Sequence, residues 1–132
     1  MTTYSFVVFG NPQPKQRARA GKGNRHYTPA ETVRYERAVK AIAALSRPPS
    51  WRTDGEYHLF VVAYFADRRP RDVDNVVKAV SDALNGVAFG DDNQVTRVSA
   101  EKHMGNPEPR TEVTVQWLGE RAVKTRKRKV VA

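Results

Sequence analysis

The spacing of apolar and polar positions changes several times along the chain, and each change predicts an element. Tyr4 to Phe9 is a β-branched and aromatic run stopped by Gly10-Asn11-Pro12, which predicts a first strand. The long stretch from there through Tyr27 has no such period and predicts a loop. Thr28-Pro29-Ala30-Glu31 then combines a capping hydroxyl, proline at the first helical position and glutamate three residues after the cap. Tyr35, Ala38, Val39, Ile42 and Leu45 follow at helical spacing, and Pro48-Pro49 ends the pattern, so a helix is expected over roughly 29–46.

Tyr57 to Phe65 is nearly continuous in apolar residues and predicts a strand buried on both faces. Asp72 has the chemistry of an N-cap, Val73, Val76, Val77, Val80 and Leu84 form one apolar stripe, and Asn85-Gly86 closes the second helix. Val95 to Met104 and Thr111 to Leu118 predict two more strands, expected as an antiparallel pair across the turn Gly105-Asn106-Pro107. The resulting expectation is one small α/β (α+β) domain: a mixed sheet carrying two principal helices.

Composition narrows this picture. A length of 132 residues allows one domain, and 39% apolar content suffices for a modest core. The absence of cysteine removes disulfides, thiolate metal sites and cysteine nucleophiles. Apolar runs are strand-length, so no membrane span is expected, and no secretory signal precedes the first strand; the cytoplasm is the expected compartment. The formal net charge of +9 points to a polyanionic partner, nucleic acid first.

The charge is also unevenly placed. Lys15, Arg17, Arg19, Lys22 and Arg25 share one loop, no acidic residue occurs before Glu31, and six basic residues lie between Arg121 and Ala132. The expected organisation is therefore a domain over 1–120 and a basic tail over 121–132. Asp67, Asp72, Asp74, Asp82, Asp91 and Asp92, by contrast, fall within 26 positions of this basic protein.

Asp74, Lys78 and Asp82 recur at about 100° per residue on one helical face, away from the valine stripe. The glycine-containing turn before Asp91-Asp92 can bring those acids back beside the helix. Such carboxylates repel and raise one another's pKa, a conflict that a hard divalent cation relieves. Mg²⁺, with Mn²⁺ as a substitute, accepts two or three aspartates together with phosphate oxygens. An acidic metal site on a polyanion-binding surface suits phosphodiester hydrolysis. Lys78 could touch the scissile phosphate, or it could form a plain helical ion pair with Asp74 or Asp82.

Several segments together resemble the RusA family of Holliday junction resolvases. They are Pro14-Lys15-Gln16-Arg17-Ala18-Arg19, Tyr27-Thr28-Pro29, Arg71-Asp72-Val73-Asp74-Asn75 followed by Lys78 and Asp82-Ala83-Leu84-Asn85-Gly86, and Asp91-Asp92-Asn93-Gln94-Val95. The resemblance spans roughly positions 4–117. It implies a homodimeric, Mg²⁺-dependent crossover junction endodeoxyribonuclease that binds branched DNA and nicks two strands symmetrically in recombination and repair. By the same resemblance Asp72, Asp74 and Asp92 are the metal ligands and Lys78 the supporting catalytic lysine. Asp91 is then a neighbour of the ion outside its ligand sphere.

Lys15, Arg17, Arg19, Arg68, Arg69 and Arg71 are the expected DNA contacts, although the last three could also serve as counter-charges for Asp67 and Asp72. Trp51 and Trp117 read as core or interface anchors, and Tyr27 as packing at the helix entry. His26, His58 and His103 lack zinc spacing. Two rival readings stand beside the resolvase: a non-catalytic basic DNA-binding protein, and a less selective metal-dependent nuclease.

Overall fold

Strand β1 (Thr3–Phe9) buries every second side chain, Tyr4, Phe6 and Val8, on the side where the helices lie. A computed structural model describes residues 2–16, 19–20, 26–27 and 29–121. Within the expected loop, β2 (Arg19–Ala20) and β3 (His26–Tyr27) pair antiparallel as a two-residue ribbon. Then follow α1 (Ala30–Ser46), β4 (Glu56–Tyr64), α2 (Val73–Leu84), a short 3-10 turn (Asp92–Gln94), β5 (Val95–His103) and β6 (Arg110–Gly119). The main sheet has the order β1-β6-β4-β5, so the mixed sheet with two helices is as expected.

Two expectations need correction. β5 and β6 are not partners: β4 lies between them, parallel to β5 and antiparallel to β6. The 105–107 turn carries the chain across the end of β4. It is held there by Gly105 N donating to Asp67 O (3.0 Å) and Asn106 N to Phe65 O (2.9 Å). A parallel β4–β5 pair needs a crossover, and α2 supplies it. Second, β4 is not buried on both faces. Tyr57, Leu59, Val61 and Ala63 point into the core, while His58, Phe60, Val62 and Tyr64 are half-exposed.

The core lies between the inner sheet face and the two helices. From α1 come Thr32, Tyr35, Val39 and Ala43, and from α2 Val76, Ala79, Val80, Ala83 and Leu84. The small Ala43, Ala79 and Ala83 are buried in the helix layer, whose two members contact each other. Helix α1 begins at Ala30, with Pro29 at the cap position rather than inside the first turn. Thr28, the expected cap, lies outside the described residues, as do Arg17, Lys22, Arg25 and the tail beyond Arg121.

An aromatic chain runs from the sheet to the segment after α2. Tyr4 meets Trp51 edge-on at 4.6 Å between ring centres, and Tyr57 lies 5.6 Å from Phe89. Trp51 Nε1 donates to Ala88 O (2.8 Å) and Arg47 to Val87 O (2.9 Å). Gly86, at φ +80°, turns the chain after α2. These contacts anchor residues 86–90 to the core and fix where the following acids emerge.

Candidate active site

Gln94 sets the position of the Asp91-Asp92 pair. Its buried amide donates to Thr53 O and Gly55 O, both at 3.0 Å, while its Oε1 accepts from Asp91 N at 2.8 Å. Asp91 in turn accepts from Asn93 N at 2.9 Å, completing a capping box on the 3-10 turn. The turn is therefore tied to the segment that leads into β4, and Asp92 is directed back toward α2.

Opposite it, Lys78 Nζ lies 3.0 Å from Asp82 Oδ1 and 3.6 Å from Asp92 Oδ2. Asp82 Oδ2 faces Lys15 Nζ at 3.3 Å, and Lys15 also donates to Glu36 Oε1 at 2.6 Å. Lys15 N donates to Asn75 O (2.8 Å), so the N-terminal loop is fastened along α2 by backbone and side chain alike. Five alternating charges thus run from α1 through the loop and α2 to the 3-10 turn: Glu36, Lys15, Asp82, Lys78 and Asp92.

The acids differ in proton affinity for definable reasons. Partial burial, the adjoining Asp91 carboxyl and the Asp82 charge push Asp92 above the usual carboxylate range, against the pull of Lys78. Asp91 is held below that range, chiefly by the Asn93 N–H and then by Asp92. Lys78 is raised by Asp82 first and by Asp92 after it. Burial works against the charge of Lys15, but Glu36 and Asp82 outweigh it and its pKa is raised.

Asp72 does occupy the N-cap position of α2, yet its side chain makes no capping hydrogen bond. Asp74, in the first turn, accepts only from Asn75 N (3.1 Å). Both are exposed, and neither forms an ion pair among the described residues. Also among the described residues, no three acidic or histidine side chains are grouped as a metal site. What the structure brings together is Lys78 with Asp82 and Asp92; it leaves Asp72 and Asp74 open at the N-terminal end of the same helix.

The arginines are engaged unequally. Arg71 grips Asp67 with two hydrogen bonds (2.6 and 3.0 Å), stacks 4.5 Å above the Phe65 ring and is largely buried. Asp67 is accordingly held well below the carboxylate range, by Arg71 first and then by the Arg69 N–H. The Arg69 side chain is 78% exposed, and Arg68 rests against Gly105. Arg69 and Arg71 line a groove of about 350 Å³ together with Asn11, Gln13 and Gln16. Only the backbone of Arg19 is described.

Arg71 takes up the counter-charge role toward Asp67 that the sequence left open beside DNA contact, whereas the parts played by Glu36 and Gln94 were not foreseen. The last had a readable signal, since Asp91-x-x-Gln94 is a capping-box spacing. Glu36 had none, because its partner lies 21 residues away.

A mixed four-stranded sheet with a carboxylate and lysine set at the crossover helix defines a small α+β protein built around a charged polar site. The chain belongs to the RusA family of endodeoxyribonucleases: the family model, Endodeoxyribonuclease RusA, matches residues 10–116. Membership indicates a junction-resolving endonuclease whose partner is branched DNA. The chain is also similar to the uncharacterized protein YqaN of Bacillus subtilis (strain 168). The two are 31% identical, over 88% of this chain and 97% of that protein. No helix is long and apolar enough to cross a membrane among the described residues.

Proposed function

We propose that this protein is a Mg²⁺-dependent crossover junction endodeoxyribonuclease. In this reading it acts as a homodimer in the cytoplasm, in DNA recombination and repair, and resolves four-way junctions by paired symmetric nicks. The observation that carries the reading is the family match over residues 10–116, which spans every residue of the charged site from Lys15 to Asp92.

The donor set fits a hard cation: all candidate ligands are carboxylates, and Asp92 carries a like-charge burden that a bound cation would lift. Asp72, Asp74 and Asp92 are the proposed ligands, with Asp91 outside the sphere; Mn²⁺ would serve similarly. The three are not gathered in the structure described, so binding requires the exposed Asp72 and Asp74 side chains to turn toward Asp92. Held there, Mg²⁺ would neutralise the scissile phosphate and lower the pKa of the attacking water.

The chain's own groups do the rest. Lys78 offers its ammonium to the developing charge on the phosphate. The open N-terminus of α2 presents backbone N–H groups and a partial positive charge to the same anion. Arg68 and Arg69, with Arg17 and Arg19 from the basic loop, hold phosphates on either side of the cut. Two-fold pairing of protomers would set two such sites on equivalent strands of a junction.

The experiment is cleavage of a synthetic four-way junction, with duplex and flap controls, in Mg²⁺ and in EDTA. Mg²⁺-dependent nicking confined to the junction supports the reading. Binding without cutting in Mg²⁺ or Mn²⁺ would return the aspartates to a structural role. Equal cutting of flaps would replace the resolvase with a less selective nuclease.

A further inference from the structure

Lys78 is more than half exposed, and a long flexible ammonium on a helix surface has no reason to hold one direction unless its surroundings impose it. Here the surroundings do so in series. Asp82, one turn along α2, gives Oδ1 to Lys78 and Oδ2 to Lys15, so its carboxylate plane is fixed from both sides. Lys15 is fixed in turn by Glu36, which the packed face of α1 holds beside buried Tyr35. Asp82, Lys15 and Glu36 are each only about a quarter exposed, so solvent competes less for them than for Lys78.

We propose that Asp82, braced by Lys15 and Glu36, is a positioning residue that aims Lys78 at Asp92 and the phosphate site, and is not itself a metal ligand. Lys15 then belongs to the brace and not to the DNA-contacting set. The inference rests on the endonuclease reading above for its catalytic consequence, while the charge chain itself stands on geometry.

The alternatives predict different couplings. A metal ligand at Asp82 would contribute independently of Lys78. A merely structural ion pair would lower stability and leave the turnover of folded protein unchanged. A positioning residue acts through Lys78, so its effect vanishes when Lys78 is gone.

The test is a double-mutant cycle on single-turnover junction cleavage at saturating protein, with Asp82→Asn, Lys78→Ala and the double variant. Asp82→Asn is expected to lower the rate about tenfold with junction affinity unchanged, and to have less than a twofold effect in the Lys78→Ala background. Glu36→Gln, on α1, should show a weaker loss of the same kind. Lys15→Arg should restore most of what Lys15→Met loses. Independent, multiplicative effects of Asp82→Asn and Lys78→Ala would overturn the proposal. So would a Lys15→Met variant that only weakens binding and reduces its salt dependence.

A second readout separates this inference from the function. In NMR spectra of the uncut protein without metal or DNA, the Lys78 ammonium should show slowed proton exchange that Asp82→Asn abolishes. If the wild-type protein cuts no junction but this protection is present, the endonuclease reading fails and the brace stands. If cutting occurs and Lys78 exchanges like a free lysine, the brace fails and the reading stands.

Discussion

Replacing Asp92 with asparagine should move stability and activity in opposite directions. The carboxylate is attracted by Lys78 at 3.6 Å, and in a water-like dielectric that attraction is about 1 kcal/mol. Against it act partial burial and the charges of Asp91 and Asp82, and together these win, because the Asp92 pKa lies above the ordinary range. Removing the charge therefore removes a net penalty, and the asparagine amide can donate to the Asp91 carboxylate, which an ionised Asp92 cannot do. The variant should be as stable as the parent or more so, by up to about 1 kcal/mol, which for a chain of this length raises Tm by no more than about 5 °C. Nicking should fall below detection, since a proposed ligand is lost.

Thermal melts at pH 7.5, without divalent ions and then with Mg²⁺, separate the two effects. Mg²⁺ at ten times its Kd should stabilise the parent by about 1.4 kcal/mol and leave the variant unmoved. A variant destabilised by more than about 1 kcal/mol in the absence of metal would refute this reasoning. It would mark Asp92 as a structural group of the 3-10 turn.

Gln94→Ala removes three hydrogen bonds from a buried position and should cost about 2–4 kcal/mol, while loosening the Asp91-Asp92 turn; a smaller loss in denaturant melts would show that the turn is held by something else. Asp67 is depressed by Arg71 and the Arg69 N–H, so the unfolded chain binds its proton more readily. Its contribution should be complete above the ordinary carboxylate pKa of about 3.9 and lost as pH falls toward the depressed value. The stability gap between the parent and Asp67→Asn should therefore be flat from pH 7 to 5 and close below about 4; a gap that widens on acidification would contradict the pair. Arg69→Ala should weaken junction binding and reduce the salt slope by about one, with the nicking rate of bound complex unchanged. An unaltered slope would remove Arg69 from the phosphate contacts.

The elements legible in the sequence were those whose signal is local. The valine stripe from Val73 to Leu84 with Asp72 before it and Asn85-Gly86 after it located α2 almost to the residue, and Tyr4 to Phe9 located β1. Pairing was not legible. Two strands separated by a glycine-proline turn look like a hairpin, and only the backbone contacts of Gly105 and Asn106 with the end of β4 show that the turn crosses over another strand. The β2–β3 ribbon was too short, at two residues a strand, to leave a periodic trace.

The site divides in the same way. Helical spacing put Lys78 and Asp82 on one face, and the turn after Gly90 was rightly expected to bring Asp92 back to them. The brace was invisible, because Lys15 and Glu36 meet only once the loop lies along α2. A basic loop read from sequence is a reservoir of phosphate contacts, yet one of its lysines is turned inward by two carboxylates. Arg71 shows the same ambiguity: read from sequence it is a phosphate contact or a counter-charge, and its guanidinium lies at hydrogen-bond distance from Asp67.

Whether this charged site cuts the backbone of branched DNA is decided by mapping nicks on a four-way junction. Each strand is 5′-labelled in turn and incubated with the protein in Mg²⁺. Nicks are expected at matching positions in two opposed strands, absent in EDTA and absent with Asp74→Asn, although that variant still binds. Nicks in one strand only, cutting that survives Asp74→Asn, or tight binding with all four strands intact would contradict the resolvase reading.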